Sequence, residues 1–199
     1  MLYHRRSIRL KGYDYSQTGM YFVTICTKDR ENLFGEIRDE EMILNKLGKI
    51  VEKEWHKTSE KRKNVGLDEF IVMPNHLHGI IVINYQIVGI DCNQSLPDDI
   101  DCNQSLHKYG PQTNNLFAII RGFKGAVTNQ INSLINNTDG GSIWQSRFYD
   151  HIIRNEQSLN KIRYYIFNNP GNWPDDIENL KIHKTITDQQ RKNYYRNIF

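Results

Sequence analysis

The stretch Met73-Pro74-Asn75-His76-Leu77-His78-Gly79-Ile80-Ile81-Val82-Ile83 constrains this chain more than any other. Pro-Asn is turn chemistry, and the apolar run after it is strand chemistry. The segment Leu67 to Met73 also reads as a strand, so a hairpin is expected with the histidines opening its second arm. In a strand, residues two apart share a face. His76 and His78 therefore stand side by side, an arrangement that suits one divalent ion, since neutral imidazole is a common metal ligand. The near-continuous apolar run predicts a central strand covered on both sides. The bland alternative is a structural or accidental pair of histidines.

Elsewhere, Met20 to Thr27 reads as a strand and Phe34 to Ile37 as a short partner. Ile43, Leu47, Ile50, Val51 and Trp55 follow helical spacing within a helix expected from Glu41 to Lys63, with Glu54 at the edge of the stripe. Leu116, Ile119, Ile120, Phe123, Val127 and Ile131 mark a second helix, and Ile143 to Ile153 reads as a strand or two. A third helix runs from about Glu156 to Asn168 and stops at Pro170-Gly171. This order predicts an α+β domain, an antiparallel sheet with helices packed on it.

The heptapeptide Ile90 to Leu96 recurs letter for letter at Ile100 to Leu106. Two copies are too few for a solenoid; the repeat reads as a tandem duplication inside a mobile loop spanning Tyr85 to Gln112. The three cysteines, Cys26, Cys92 and Cys102, show no CxxC spacing, so neither a disulfide framework nor a zinc ribbon is indicated. Hydrophobic residues make up 38% and charged residues 25%, a globular balance. No apolar run is long enough for a membrane span, the first residues lack a signal-peptide core, and a cytoplasmic protein without membrane partners is expected.

On the third helix, Tyr165 and Asn169 are one turn apart on one face. Facing the imidazoles, the Asn169 amide oxygen would complete a His-His-Asn metal site, with Tyr165 in reach of whatever the metal holds. The oxygen ligand and a phosphate substrate favour Mg²⁺ or Mn²⁺, although imidazoles also accept zinc. The chemistry would be metal-assisted transesterification with Tyr165 as nucleophile. Tyr164, which points about 100° away around the helix, and Tyr149 are the other phenols to consider. Trp144 reads as a core anchor and Cys26 as a small core residue.

At these positions the chain resembles the REP-associated branch of the single-tyrosine HUH transposases. The resemblance rests on Phe70 to Gly79, on Trp144-Gln145-Ser146-Arg147-Phe148-Tyr149-Asp150-His151, on Tyr165-Ile166-Phe167-Asn168-Asn169-Pro170 and on the opening strand Tyr21-Phe22-Val23-Thr24. It implies a ferredoxin-like fold over residues 1–173, with 174–199 as a tail to which no structure is assigned. It implies a Mg²⁺- or Mn²⁺-dependent enzyme that cleaves single-stranded hairpin DNA through a 5′-phosphotyrosine. His76, His78 and Asn169 would be the metal ligands and Tyr165 the nucleophile, in a monomer or homodimer. For DNA contacts it directs attention to the basic arm Arg5, Arg6 and Arg9, and to Arg121 and Lys124 as a backbone track. Two other readings stay open: a domesticated hairpin-binding protein that does not cut, and a nickase of the replication-initiator type.

Overall fold

The computed structural model describes residue 10 and residues 12–84, 115–136, 141–179 and 187–198 of the 199. Six strands and four α-helices occur among them: β1 (Gly19–Cys26), β2 (Gly35–Arg38), β3 (Glu41–Leu44), α1 (Lys46–Glu60), β4 (Val65–Val72), β5 (His76–Ile83), α2 (Leu116–Leu134), β6 (Tyr149–Ile153), α3 (Glu156–Asn168) and α4 (Asp188–Ile198). The arm residues Arg5, Arg6 and Arg9 and the loop 85–112 lie outside the described residues.

The main sheet has the order β4-β5-β1-β6 with every pairing antiparallel. Setting aside the β2–β3 hairpin, the chain runs β1-α1-β4-β5-α2-β6, the ferredoxin-like α+β arrangement. β5 is central, as its apolar run requires, and pairs with β4 through the turn at Pro74-Asn75. The expected helix from Glu41 is shorter than the apolar spacing suggests. Glu41 to Leu44 pairs with β2 instead, across a two-residue turn whose Asp39 and Glu40 both have positive φ (51° and 63°). Asn45 then starts α1, its Oδ1 accepting from the backbone N–H groups of Leu47 and Gly48 at 2.8 and 3.0 Å. Asn115 and Asn155 cap α2 and α3 in the same way. Of the stretch Ile143 to Ile153, only Tyr149–Ile153 forms a strand; Trp144 makes one isolated bridge to Thr27.

Two layers cover the sheet. On one face, Val51 and Trp55 of α1 and Leu116, Ile119, Phe123, Val127 and Ile131 of α2 pack against Tyr21, Val23, Ile25, Leu77 and Ile81, with Trp144 in the same core. On the other, Leu159, Ile162, Tyr165 and Ile166 of α3 join Phe22, Ile80, Tyr149 and Ile153. Ile177 and Tyr195, from the segment after residue 173, complete this second core. Glu54, placed at the edge of the α1 stripe, is 2% exposed and paired with Lys57, Lys61 and Gln130.

Alternation along β5 sends Leu77, Gly79 and Ile81 to the α1/α2 layer, and His76, His78 and Ile80 to the α3/α4 layer. Gly79 lets Trp55 approach: a Cβ there would sit 2.4 Å from the indole ring. Gly79→Ala is therefore expected to cost about 1–3 kcal/mol by overpacking. Urea unfolding reads this, and an unchanged midpoint would show that Trp55 can move aside. No described helix is long and apolar enough to cross a membrane.

Candidate active site

His76 and His78 project into the α3/α4 layer and both are fully buried. Their ring centroids are 4.4 Å apart and their Nε2 atoms 3.0 Å apart. Hydrogen bonds behind the rings fix what those nitrogens present. Asn75 donates its amide N–H groups to the Arg30 and Glu178 carbonyls, so its Oδ1 faces His76 Nδ1 as an acceptor at 2.8 Å. His76 thus carries its proton on Nδ1 and a lone pair on Nε2. Thr24, directly across from His78 in the β1–β5 register, sits 2.9 Å from His78 Nδ1 and turns its own proton toward the Tyr195 hydroxyl at 3.3 Å. That arrangement leaves His78 Nε2 with a lone pair too. Two lone pairs facing each other at this distance are suited to a shared cation. At 3.0 Å the two nitrogens are close enough for both to serve one cation.

The third group is a carboxylate. Ligand atoms of His76, His78 and Asp176, all buried, lie within 4.8 Å of one another, and this group can hold a metal ion. Asp176 follows α3 in the short turn after Trp173-Pro174-Asp175. Its Oδ1 accepts from the Glu178 backbone N–H at 2.6 Å, and its Oδ2 accepts from Asn169 Nδ2 at 2.9 Å. Asn169 closes α3, is fully buried, and has an Oδ1 with no hydrogen-bond partner among the described residues. An orphaned buried acceptor beside two imidazole lone pairs and a carboxylate fits a cation. The donors present therefore match a divalent metal, with Asp176 added to the residues expected from sequence.

Tyr165 is 8% exposed, with its hydroxyl 3.1 Å from His78 Nε2 and 3.4 Å from Asp176 Oδ2. Burial, followed by the nearby Tyr195 and Asp176, holds this phenol well above its usual pKa of 10.0. Tyr164 faces outward at 72% exposure, whereas Tyr149 is in the core. Neither shares the placement of Tyr165.

α4 closes the layer over these groups. Tyr195 is fully buried, stacks on Tyr149 at 4.4 Å, and has its ring 6.1 Å from that of His78 and 6.2 Å from that of Tyr165. Arg191 of α4 and Arg30 both pair with the fully buried side chain of Glu178, at 2.6 and 2.7 Å.

Of the remaining sequence candidates, Arg121 and Lys124 lie on α2, in the layer on the far side of the sheet from the imidazoles. Arg121 is exposed. Lys124 donates to the Gln145 and Arg147 carbonyls at 2.8 and 3.1 Å, bracing the segment before β6, and burial lowers its pKa to about 8.

Burial also lowers the pKa of His76 from 6.5 to about 4, and that of His78 well below 6.5, so both rings are neutral as metal ligation requires. Between those limits the unfolded chain binds protons that the folded chain refuses. In EDTA, stability is therefore expected to be intact above pH 6.5 and to fall as the pH drops toward about 4. Urea midpoints across this window test the sign; a flat profile would mean that the folded rings accept protons freely.

No protein-family model matches the chain. It is 44% identical over 175 residues to an uncharacterised protein of Haemophilus influenzae (strain ATCC 51907 / DSM 11121 / KW20 / Rd), covering 88% of this chain and 93% of that one. The chain belongs to the family of that Haemophilus protein. Among solved structures, it resembles a REP-associated tyrosine transposase bound to a REP hairpin, with a TM-score of 0.50 and 17% identity over 83% of this chain and 74% of that chain. At that identity the likeness is one of fold.

The residues missed in the sequence are Asp176, Asn75, Thr24 and Tyr195. Asp176 lies beyond the last recognisable motif. Asn75 was legible only as a turn former.

Proposed function

We propose that this protein is a transposase-like, metal-dependent endonuclease and strand transferase that acts on single-stranded DNA with REP-like hairpins. The observation that carries this reading is a phenol hydroxyl, that of Tyr165, within 3.1–3.4 Å of a buried His-His-Asp group. The fold shared with the hairpin-bound transposase supports the substrate class.

His76 Nε2, His78 Nε2 and an Asp176 oxygen would hold the cation, Mg²⁺ or Mn²⁺, with the free Asn169 Oδ1 beside them. When bound, the cation supplies Lewis-acid stabilisation of the charge that develops on the scissile phosphate. The protein's own groups do the rest. Tyr165 is aimed by α3 and held by contacts to His78 and Asp176. Its proton passes to Asp176 Oδ2, the carboxylate oxygen 3.4 Å from the hydroxyl. The phenolate attacks phosphorus, the bond to the 3′-oxygen breaks, and the departing 3′-oxygen takes up, through water, the proton that Asp176 received, so the products are a 5′-phosphotyrosine and a free 3′-hydroxyl. Asn75 and Thr24 keep both imidazoles in the tautomer that directs Nε2 inward. Asn169 holds Asp176 in place through its amide N–H.

The test is a denaturing gel on 3′-labelled hairpin DNA from the flanks of the protein's own gene, with Mn²⁺ or Mg²⁺ and with EDTA. A metal-dependent covalent band is expected. One observation favours a second reading, in which the protein binds hairpins without cutting: His76, His78, Asn169 and Asp176 are all fully buried. A native-gel shift without any covalent band would select that reading.

A further inference from the structure

α3 has two unlike flanks. Gln157, Lys161, Tyr164 and Asn168 are spaced by four, three and four residues and form one stripe along the helix. They line an open groove of about 620 Å³ whose walls also include Tyr165 and Ile198. The groove shares Gln157 and Lys161 with a smaller recess of about 240 Å³, which includes His151 of β6 and Arg154 just after it. No carboxylate among the described residues lines either space. On the other flank, Phe167 and Asn168 border a groove of about 540 Å³ that carries Glu40, Glu41 and Glu52. A polyanion is favoured on the first flank and repelled from the second.

Along the first flank, two cations suited to phosphates alternate with amides suited to base edges. The aromatic ring of Tyr164, 72% exposed, stands next in sequence to Tyr165. Exposed aromatics on a basic groove are how unpaired strands are commonly held, because every base has a face to stack and the backbone needs only positive charge.

We propose that the Gln157–Lys161–Tyr164–Asn168 stripe of α3, extended by Arg154, is the track along which an unpaired DNA strand approaches Tyr165, with Tyr164 as its base-stacking platform. The inference rests on the proposed function for its ligand class, and it assigns to Tyr164 a role in positioning rather than in the covalent step.

The experiment measures anisotropy of fluorescein-labelled oligothymidylate with the full chain in EDTA, so that binding is read without cleavage. Tyr164→Ala is expected to weaken binding by about fivefold to a hundredfold, and Tyr164→Phe to restore it. The double variant Arg154→Ala/Lys161→Ala is expected to flatten the slope of log affinity against log salt by about 0.7 for each cation removed. Phe167→Ala, an equally exposed aromatic on the acidic flank, is expected to bind as the wild type does. All four side chains are exposed, so folding is not at risk. Wild-type affinity in Tyr164→Ala, an equal loss in Phe167→Ala, or no wild-type binding of oligothymidylate would each overturn the track. The covalent-adduct gel decides the function separately: an adduct formed while Tyr164→Ala binds normally would refute the track and leave the function standing.

Discussion

Tyr165→Phe is expected to form no covalent adduct with hairpin DNA while shifting that DNA on a native gel as the wild type does. The substitution removes one oxygen from a ring that already packs against Phe22 and Tyr195, so the fold should persist and only the nucleophile is lost. The lost contacts include the hydroxyl's links to His78, Asp176 and Tyr194. The adduct should fall to background rather than by a modest factor, since no other phenol among the described residues combines a link to His78 Nε2 with a place on α3. An adduct that survives in Tyr165→Phe would transfer the role to another tyrosine, and peptide mapping of the attached strand would say which.

The second large effect concerns the cation and separates two candidate oxygen ligands. Asp176→Asn is expected to reduce Mn²⁺ affinity by at least as much as the roughly 10–100-fold typical of a lost outer-shell partner, as measured by calorimetric titration. His76→Ala and His78→Ala are expected to do the same or worse. Asn169→Ala should have a smaller effect, because Asn169 already spends its N–H on the Asp176 carboxylate and offers only a neutral oxygen. The reverse order, with Asn169→Ala the more damaging, would restore the His-His-Asn site read from the sequence and make Asp176 a structural acceptor. Mn²⁺ binding unchanged in all four variants would remove the metal from this site altogether.

That contrast marks where the sequence was legible. The paired imidazoles were readable because strand alternation is strict, and Tyr165 and Asn169 because a helix brings residues four apart together. Both rules are local, and both apply to regular elements. Asp176 lies in a short irregular turn, where no periodicity relates it to anything. It reaches the imidazoles only because Asn169 and the Glu178 N–H draw its carboxylate inward. Tyr195 is more remote still, 171 residues from the Thr24 hydroxyl that it meets. β3 was hidden for the opposite reason: Ile43, Leu47 and Ile50 keep helical spacing straight across the Asn45 cap, so periodicity ran through a boundary that capping chemistry had set.

β5 belongs to two cores at once. Its odd-numbered residues up to Ile81 fill the space against Trp55, and its even-numbered ones deliver the imidazoles. A deletion of one residue between Phe70 and Ile80 would exchange the two sets, turning Leu77 toward the metal side and a histidine toward the indole. The strand is therefore intolerant of length change, although it would accept conservative substitution on either face. The tandem repeat Ile90–Leu96 and Ile100–Leu106 begins only after Ile83, where the strand has ended. The repeat thus lies at a point where added length would shift no side chain of β5 from one face to the other.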